Sequence, residues 1–311
     1  MRRILLIGSN GQVGQELQQT LASLGDVISV GRETLDLAQQ TSIRQAIREA
    51  SPDVIVNAAA YTAVDKAETE TELAHAINAV APQIMAEEAQ QIGAALFHIS
   101  TDYVFDGRKN TPYMEDDTTN TLSAYGKSKL LGEDGIRKTS VSTEAPKELR
   151  YIILRTAWVY GTHGKSNFVK TMVRLFAERD EVRVVADQVG TPTWANDIAQ
   201  AIALLVPQLD PEEAQPSPLT GIYHFTNSGV ASWYDFAIAI FEEAKLLGFP
   251  MKVQRIVPIT TPEYPTPAQR PAYSVLSGKK VSAALGTYPP YWRDALRQML
   301  RDYYSYTNQH S

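Results

Sequence analysis

A chain of 311 residues with 44% apolar content is long enough to bury a substantial core, either as one large α/β unit or as two domains sharing a seam. Its 35 acidic residues outnumber 29 basic ones for a formal charge of −6, and no run of lysine or arginine forms a stripe that would attract a phosphate backbone, so nucleic acid is not an expected partner. The cysteine count is zero, which removes disulfide scaffolds, thiolate zinc sites and cysteine nucleophiles and agrees with a cytoplasmic location.

The first apolar run, residues 4–7, is too short for a signal peptide or a membrane span, and no membrane association is expected. Its unbroken hydrophobicity predicts a strand buried on both faces of a parallel sheet. Similar runs recur at 27–30, 54–56, 96–99 and 151–154, with helix-like segments between the first four, including crossover helices at 42–50 and 74–92. Strands alternating with helices predict an α/β fold, a Rossmann-type doubly wound parallel sheet. The polar, proline-containing stretch 139–148 reads as a surface loop.

Beyond residue 160 the rhythm changes. A helix is expected at 167–178, a strand at 182–185, a helix at 193–206, a strand at 222–225, a helix at 232–247, a proline-rich passage at 258–271 and a last helix at 293–303. These segments predict a smaller, interleaved C-terminal substrate domain. The dinucleotide-binding domain would span 1–160 with a return segment at about 190–220, and the substrate-binding domain would take 161–189 and 221–311.

The sequence GSNGQVG, residues 8–14, directly follows the first strand and opens a helix. Gly8, Gly11 and Gly14 at three-residue spacing let the backbone turn tightly and approach a pyrophosphate, with Gly11, Gln12 and Val13 closest to a bound NAD(P). A glycine-rich turn without a ligand is the alternative. At the end of the second strand, Arg32 would accommodate a 2′-phosphate and points to NADPH, while Glu33 keeps NADH open. Asp36 and Leu37 either face the adenine or serve a turn.

Small residues at 57–60 suit a chain passing close to a cofactor, and the fourth strand runs into Ser100, Thr101 and Asp102, where open α/β sheets bind ligands. Tyr125 and Lys129 then stand four apart on one helix face. A tyrosine titrates near pH 10, so work as a proton donor at neutral pH needs a nearby cation to stabilise its anion, and Lys129 can supply one. An exposed amphipathic face is the bland alternative. Arg270, before Pro271, is a candidate partner for a substrate pyrophosphate or an ordinary surface arginine.

Taken in order, these features resemble the extended short-chain dehydrogenase/reductase family. Longer stretches are similar to its dTDP-4-dehydrorhamnose reductase branch: AYTAVDKAE (60–68), STDYVFDG (100–107), AYGKSKLLGE (124–133), RTAWVYG (155–161) and DQVGTPTWANDIA (187–199). The resemblance covers nearly the whole chain. It implies NAD(P)H-dependent reduction of the C4 ketone of a sugar nucleotide, with Tyr125 as proton donor, Lys129 holding the nicotinamide ribose and Thr101 bonding the reacting oxygen. It further implies that Asp102, Val64 and Trp158 meet the sugar nucleotide and that Ala60, Tyr61 and Thr62 line the cofactor. Mg2+ at a dimer contact occurs in some members, but no carboxylate cluster here maps onto it; a homodimer is compatible.

The chain departs from the family's pattern at Thr121-Leu122, where Pro-Leu is usual, and in a longer loop at 139–148. Two other functions stay open at this point. An epimerase or dehydratase of the same superfamily would retain NAD, and Asp102 beside Thr101 suits a dehydratase. A regulatory binding subunit would tolerate loss of Tyr125 or Lys129, yet both are present.

Overall fold

Arg2–Ile7 (β1) sends Ile4 and Leu6 to one face of a sheet and Leu5 and Ile7 to the other, all buried, which is why this run shows no polar alternation. In the computed structural model, which describes residues 1–142, 147–210 and 219–309, the chain continues through Gln12–Thr20 (α1), Gly25–Val30 (β2), Gln40–Ala50 (α2) and Val54–Asn57 (β3). Next come Thr71–His75 (α3), Ala81–Ile92 (α4), Ala95–Thr101 (β4), Ala124–Ser140 (α5) and Tyr151–Thr156 (β5). The remaining elements are Val159–Tyr160 (β6), Phe168–Glu178 (α6), Glu181–Val185 (β7), Val189–Gly190 (β8), Thr193–Trp194 (β9) and Ala195–Leu205 (α7), then Gly221–His224 (β10), Ala231–Ser232 (β11), Trp233–Leu246 (α8), Arg255–Ile259 (β12), Lys279–Leu285 (α9) and Trp292–Gln309 (α10).

Six parallel strands in the order β10-β5-β4-β3-β1-β2 form the main sheet. The doubly wound α/β fold expected from the sequence is the one observed. Because the order reverses between β1 and β3, the carboxyl ends of these strands open the crevice where such sheets bind ligands. One face packs against α1 and α7 through Val13, Leu17, Ile198, Ile202 and Leu205; the other packs against α2, α4 and α5 through Ile43, Ile47, Ile84, Met85 and Ile136.

The helix expected at 74–92 is interrupted. Ala76–Val80 forms a π-helical turn between α3 and α4. Pro82, in the first turn of α4, has no N–H to return to the carbonyl of residue 78. Gly132 of α5 packs on that carbonyl instead: a Cβ at Gly132 would lie 2.1 Å from the Asn78 oxygen.

A second core gathers α6, β7, α8, β12 and α10 around Phe176, Val182, Phe236, Ile240, Leu296 and Met299. In this lobe β7 pairs with β12 and β8 with β11. One expected boundary moves: β10, assigned by sequence to the substrate domain, pairs in parallel with β5 as the edge of the main sheet. Its four residues carry no signal of which neighbour they will join. Of the loop expected at 139–148, residues 139–140 finish α5 and 143–146, with its proline, lie outside the described residues. Residues 211–218 of the return segment do as well. Among the described residues no helix is long and apolar enough to cross a membrane.

Candidate active site

β1 ends in the glycine loop at the crevice. Gly8 adopts φ +87°, and a Cβ there would lie 2.7 Å from the Ala59 amide nitrogen. A Cβ at Gly14 would fall 2.0 Å from the Gly8 carbonyl oxygen, so only glycine lets α1 pack this tightly on the turn. Gly11 caps α1 in extended conformation and offers no side-chain acceptor, which leaves the first-turn amides, including those of Gln12 and Val13, for an anion. Gly14→Ala is therefore expected to cost about 1–3 kcal/mol by overpacking, read as a lower midpoint in urea denaturation. Gln12 Oε1 accepts from Asn167 Nδ2 at 2.7 Å, tying the loop to the N-terminus of α6.

At the end of β2 the two charges separate. Glu33 accepts from Asn10 Nδ2, within the glycine loop. Arg32 is exposed and makes no hydrogen bond or ion pair among the described residues. Asp36 Oδ1 accepts from the Ala38 amide at 3.0 Å, the turn role weighed for it, while Leu37 is buried with Leu35 and Ile43 in the sheet core.

Segment 60–62 leaves β3 and is clamped from the π-helical turn. The Tyr61 amide donates to Asn78 Oδ1 at 2.8 Å, and Asn78 Nδ2 donates to the Tyr61 carbonyl and to Ser128 Oγ of α5, each at 3.0 Å. Ala60 and Tyr61 are half-buried and Thr62 is exposed. Sequence reasoning missed Asn78, which is 1% exposed; the signal available was a lone asparagine in the otherwise apolar run 76–81. Tyr61 and Val64 pack with Tyr103 and Tyr125 in one small cluster, which brings cofactor-side and substrate-side expectations to the same spot.

Ser123 caps α5, its Oγ accepting from the Gly126 amide at 3.2 Å. Positions 125, 129 and 133 share one inward face, so Tyr125, Lys129 and Glu133 are all buried, and the bland surface reading of the pair fails. Burial pushes the Tyr125 phenol up to about 12, with the Thr101 hydroxyl opposing and the Asp102 carboxylate adding to the shift. Burial lowers the Lys129 amine to about 8, against the pull of Glu133. Lys129 Nζ donates to the Ile99 carbonyl at 2.7 Å and lies 3.2 Å from His98 Nε2.

Thr101 Oγ1 accepts from the Tyr103 amide at 3.2 Å and donates to Asp102 Oδ1 at 3.1 Å. Among the described residues no partner lies within hydrogen-bond distance of the buried Asp102 Oδ2, and burial raises this carboxyl to about 6, with the nearby Ser274 and Thr101 hydroxyls opposing. Beneath these groups lies an ion pair that spacing could not announce. Arg155 of β5 and Glu133 are 2% and 1% exposed and bonded through Nη2–Oε2 at 2.6 Å and Nε–Oε1 at 3.0 Å. Ser100 Oγ adds a bond to Oε1 at 2.5 Å, and the guanidinium lies over Phe105. This network braces the Tyr125 helix against β4 and β5.

Trp158 follows β5 with φ +48°, rare for a bulky residue, and stacks on Trp233 at 3.5 Å and 7°. Trp233 was not anticipated; its partner lies 75 positions earlier in the chain. Arg270 spends its guanidinium on Asp65 at 2.9 and 3.1 Å and on Thr266 Oγ1 at 2.6 Å, next to Val64 rather than out on the surface. Among the described residues no three His, Asp or Glu side chains gather as a metal site.

Comparison with known proteins identifies the family. The family model described as RmlD substrate binding domain matches residues 1–305. The chain is 43% identical over 302 residues to dTDP-4-dehydrorhamnose reductase of Burkholderia thailandensis, covering 96% of this chain and 98% of that protein. It is 40% identical over 310 residues to the protein of that name in Escherichia coli K12, covering 98% and 99%. The crystal structure of Bacillus anthracis dTDP-4-dehydrorhamnose reductase in complex with NADP is 36% identical and superposes with a TM-score of 0.85, covering 97% of this chain and 99% of that one.

Proposed function

This chain belongs to the RmlD substrate binding domain family, and on that premise we propose that it reduces the C4 ketone of dTDP-4-dehydro-L-rhamnose to dTDP-L-rhamnose with NADPH. The observation that carries the reading is the burial of Tyr125, Lys129 and Thr101 together at the carboxyl edge of the sheet, beside a glycine loop whose turn leaves no room for a Cβ at Gly8 or Gly14. Gly8, Gly14 and the first-turn amides of α1 fit a dinucleotide pyrophosphate.

The bound cofactor supplies the hydride. Thr101 and Tyr125 bind the ketone oxygen, and Tyr125, protonated throughout the neutral range because burial raises its phenol, gives its proton as the alkoxide forms. Lys129 stabilises the resulting phenolate when charged. The Trp158–Trp233 stack and the Arg270 loop line the substrate side, with the smaller lobe as the sugar-nucleotide domain. In this reading the chain works in the cytoplasm, and light scattering would decide between monomer and homodimer.

Arg32 supports the NADPH assignment because its guanidinium is uncommitted while Glu33 is held by Asn10. Arg32→Ala is expected to raise the KM for NADPH by about ten-fold or more, the worth of a charge-assisted bond, and to leave the KM for NADH unchanged. Equal losses with both cofactors would remove Arg32 from the 2′-phosphate site. The reaction itself is tested by following NADPH absorbance with substrate generated in place from dTDP-glucose by upstream enzymes. Protein-dependent NADPH loss with dTDP-L-rhamnose as product supports the reading; no loss in a mixture competent with an established reductase overturns it.

A further inference from the structure

Asn57, His98 and Lys129 form a buried row running from the end of β3 through β4 to α5, at 0%, 0% and 1% exposure. Asn57 and His98 are direct neighbours in the strand register. Asn57 Nδ2 lies 3.0 Å from His98 Nδ1, and His98 Nε2 lies 3.2 Å from Lys129 Nζ. Lys129 at one end belongs to the proton-donor pair, while Asn57 and His98 have no part in it so far, and the hydrogen bonds of the row permit only one arrangement of protons.

The argument starts at the amide. The Ala59 backbone N–H donates to Asn57 Oδ1 at 3.1 Å, which fixes the side chain with its NH2 toward the imidazole. His98 Nδ1 must then accept. A neutral imidazole carries its one proton on the other nitrogen, so Nε2–H points at Lys129 Nζ. An ammonium has no lone pair, so only the neutral amine can accept there, while one of its own hydrogens goes to the Ile99 carbonyl. Protonated imidazole would set Nδ1–H against the Asn57 NH2. A charged Lys129 facing Nε2 would force the tautomer over and break the same bond.

We propose that Asn57 and His98 act as positioning residues that hold Lys129 as a neutral amine in the cofactor-free protein, so that dinucleotide binding draws one proton into the site. The inference rests on the function proposed above, because the charge is wanted only when Nζ leaves His98 for the oxygens of a bound ribose. The surrounding charges allow it. On α5, Glu133 is committed to Arg155 of β5 and to Ser100, and Tyr125 is uncharged; just past β4, Asp102 is bonded to Thr101. Burial lowers the His98 imidazole well below its usual range and lowers the Lys129 amine to about 8, so the imidazole is neutral at neutral pH and the amine becomes neutral above about pH 8.

The test is isothermal titration of the full chain with NADPH at about pH 9, above the lowered range of the amine, in buffers of different ionisation enthalpy, which counts protons taken up per cofactor bound. Phosphate ionisation near pH 6 is complete there and contributes nothing. Wild type is expected to take up about one proton. Asn57→Asp accepts from both Ala59 and a His98 Nδ1–H, reverses the tautomer, and is expected to bring uptake near zero. His98→Gln can turn its amide oxygen to a charged Lys129, should lose uptake in the same way, and carries the test if the aspartate variant does not fold. Binding by wild type without proton uptake, or undiminished uptake in a folded variant, would overturn this inference alone; failure of NADPH to bind at all would overturn the proposed function with it.

Discussion

Tyr125→Phe should lower kcat by about two to four powers of ten, the worth of a positioned general acid, while NADPH affinity and the thermal midpoint stay close to wild type. The ring is what packs: Tyr125 is 9% exposed, meets Tyr103 edge-on with centroids 5.4 Å apart, and lies in the cluster with Val64 and Ala74. Phenylalanine keeps those contacts and loses only the hydroxyl beside Thr101. Lys129 also keeps its partners, since its bonds run to Ile99 and His98. Steady-state kinetics and a fluorescence titration with NADPH would separate the two effects, and a Phe variant with full turnover would require another proton donor.

The second large effect is on stability. Among the described residues, Arg155→Leu would leave the Glu133 carboxylate, 1% exposed, with Ser100 as its remaining hydrogen-bond donor. Removing one partner of a buried ion pair costs about 3–5 kcal/mol, most of it the penalty of an uncompensated buried charge. Urea denaturation should show a much lower midpoint. Pairing the change with Glu133→Leu should recover most of the loss, because the desolvation cost disappears along with the attraction. A single variant as stable as wild type would mean that water reaches Glu133, contrary to the packing of α5 on β4 and β5.

Why these two positions differ in legibility is a matter of sequence distance and mechanism. Tyr125 and Lys129 are four apart on one helix, and the glycine loop is a local turn after a strand, so both were readable from spacing. The buried strands β1, β3, β4 and β5 announced themselves by apolar runs because both faces of the sheet are covered there, and the half-exposed edge strand β2 was read from its shorter apolar run. Glu133 and Arg155 are 22 positions apart, and Asp65 and Arg270 are 205 apart. Nothing local marks either pair. The π-helical turn depends on Pro82 together with the approach of Gly132 from another helix, and the place of β10 depends on β5 offering an open edge. His98 looked like one more residue in a buried strand; its chemistry came from the amide and the amine on either side of it.

The most direct measurement of the central claim is where the hydride goes. NADPH carrying deuterium at the transferable position of the nicotinamide C4, mixed with the protein and dTDP-4-dehydro-L-rhamnose, should yield dTDP-L-rhamnose with deuterium at C4 of the sugar and nowhere else, as read by proton NMR. Product without deuterium, or with deuterium at another carbon, would contradict the account.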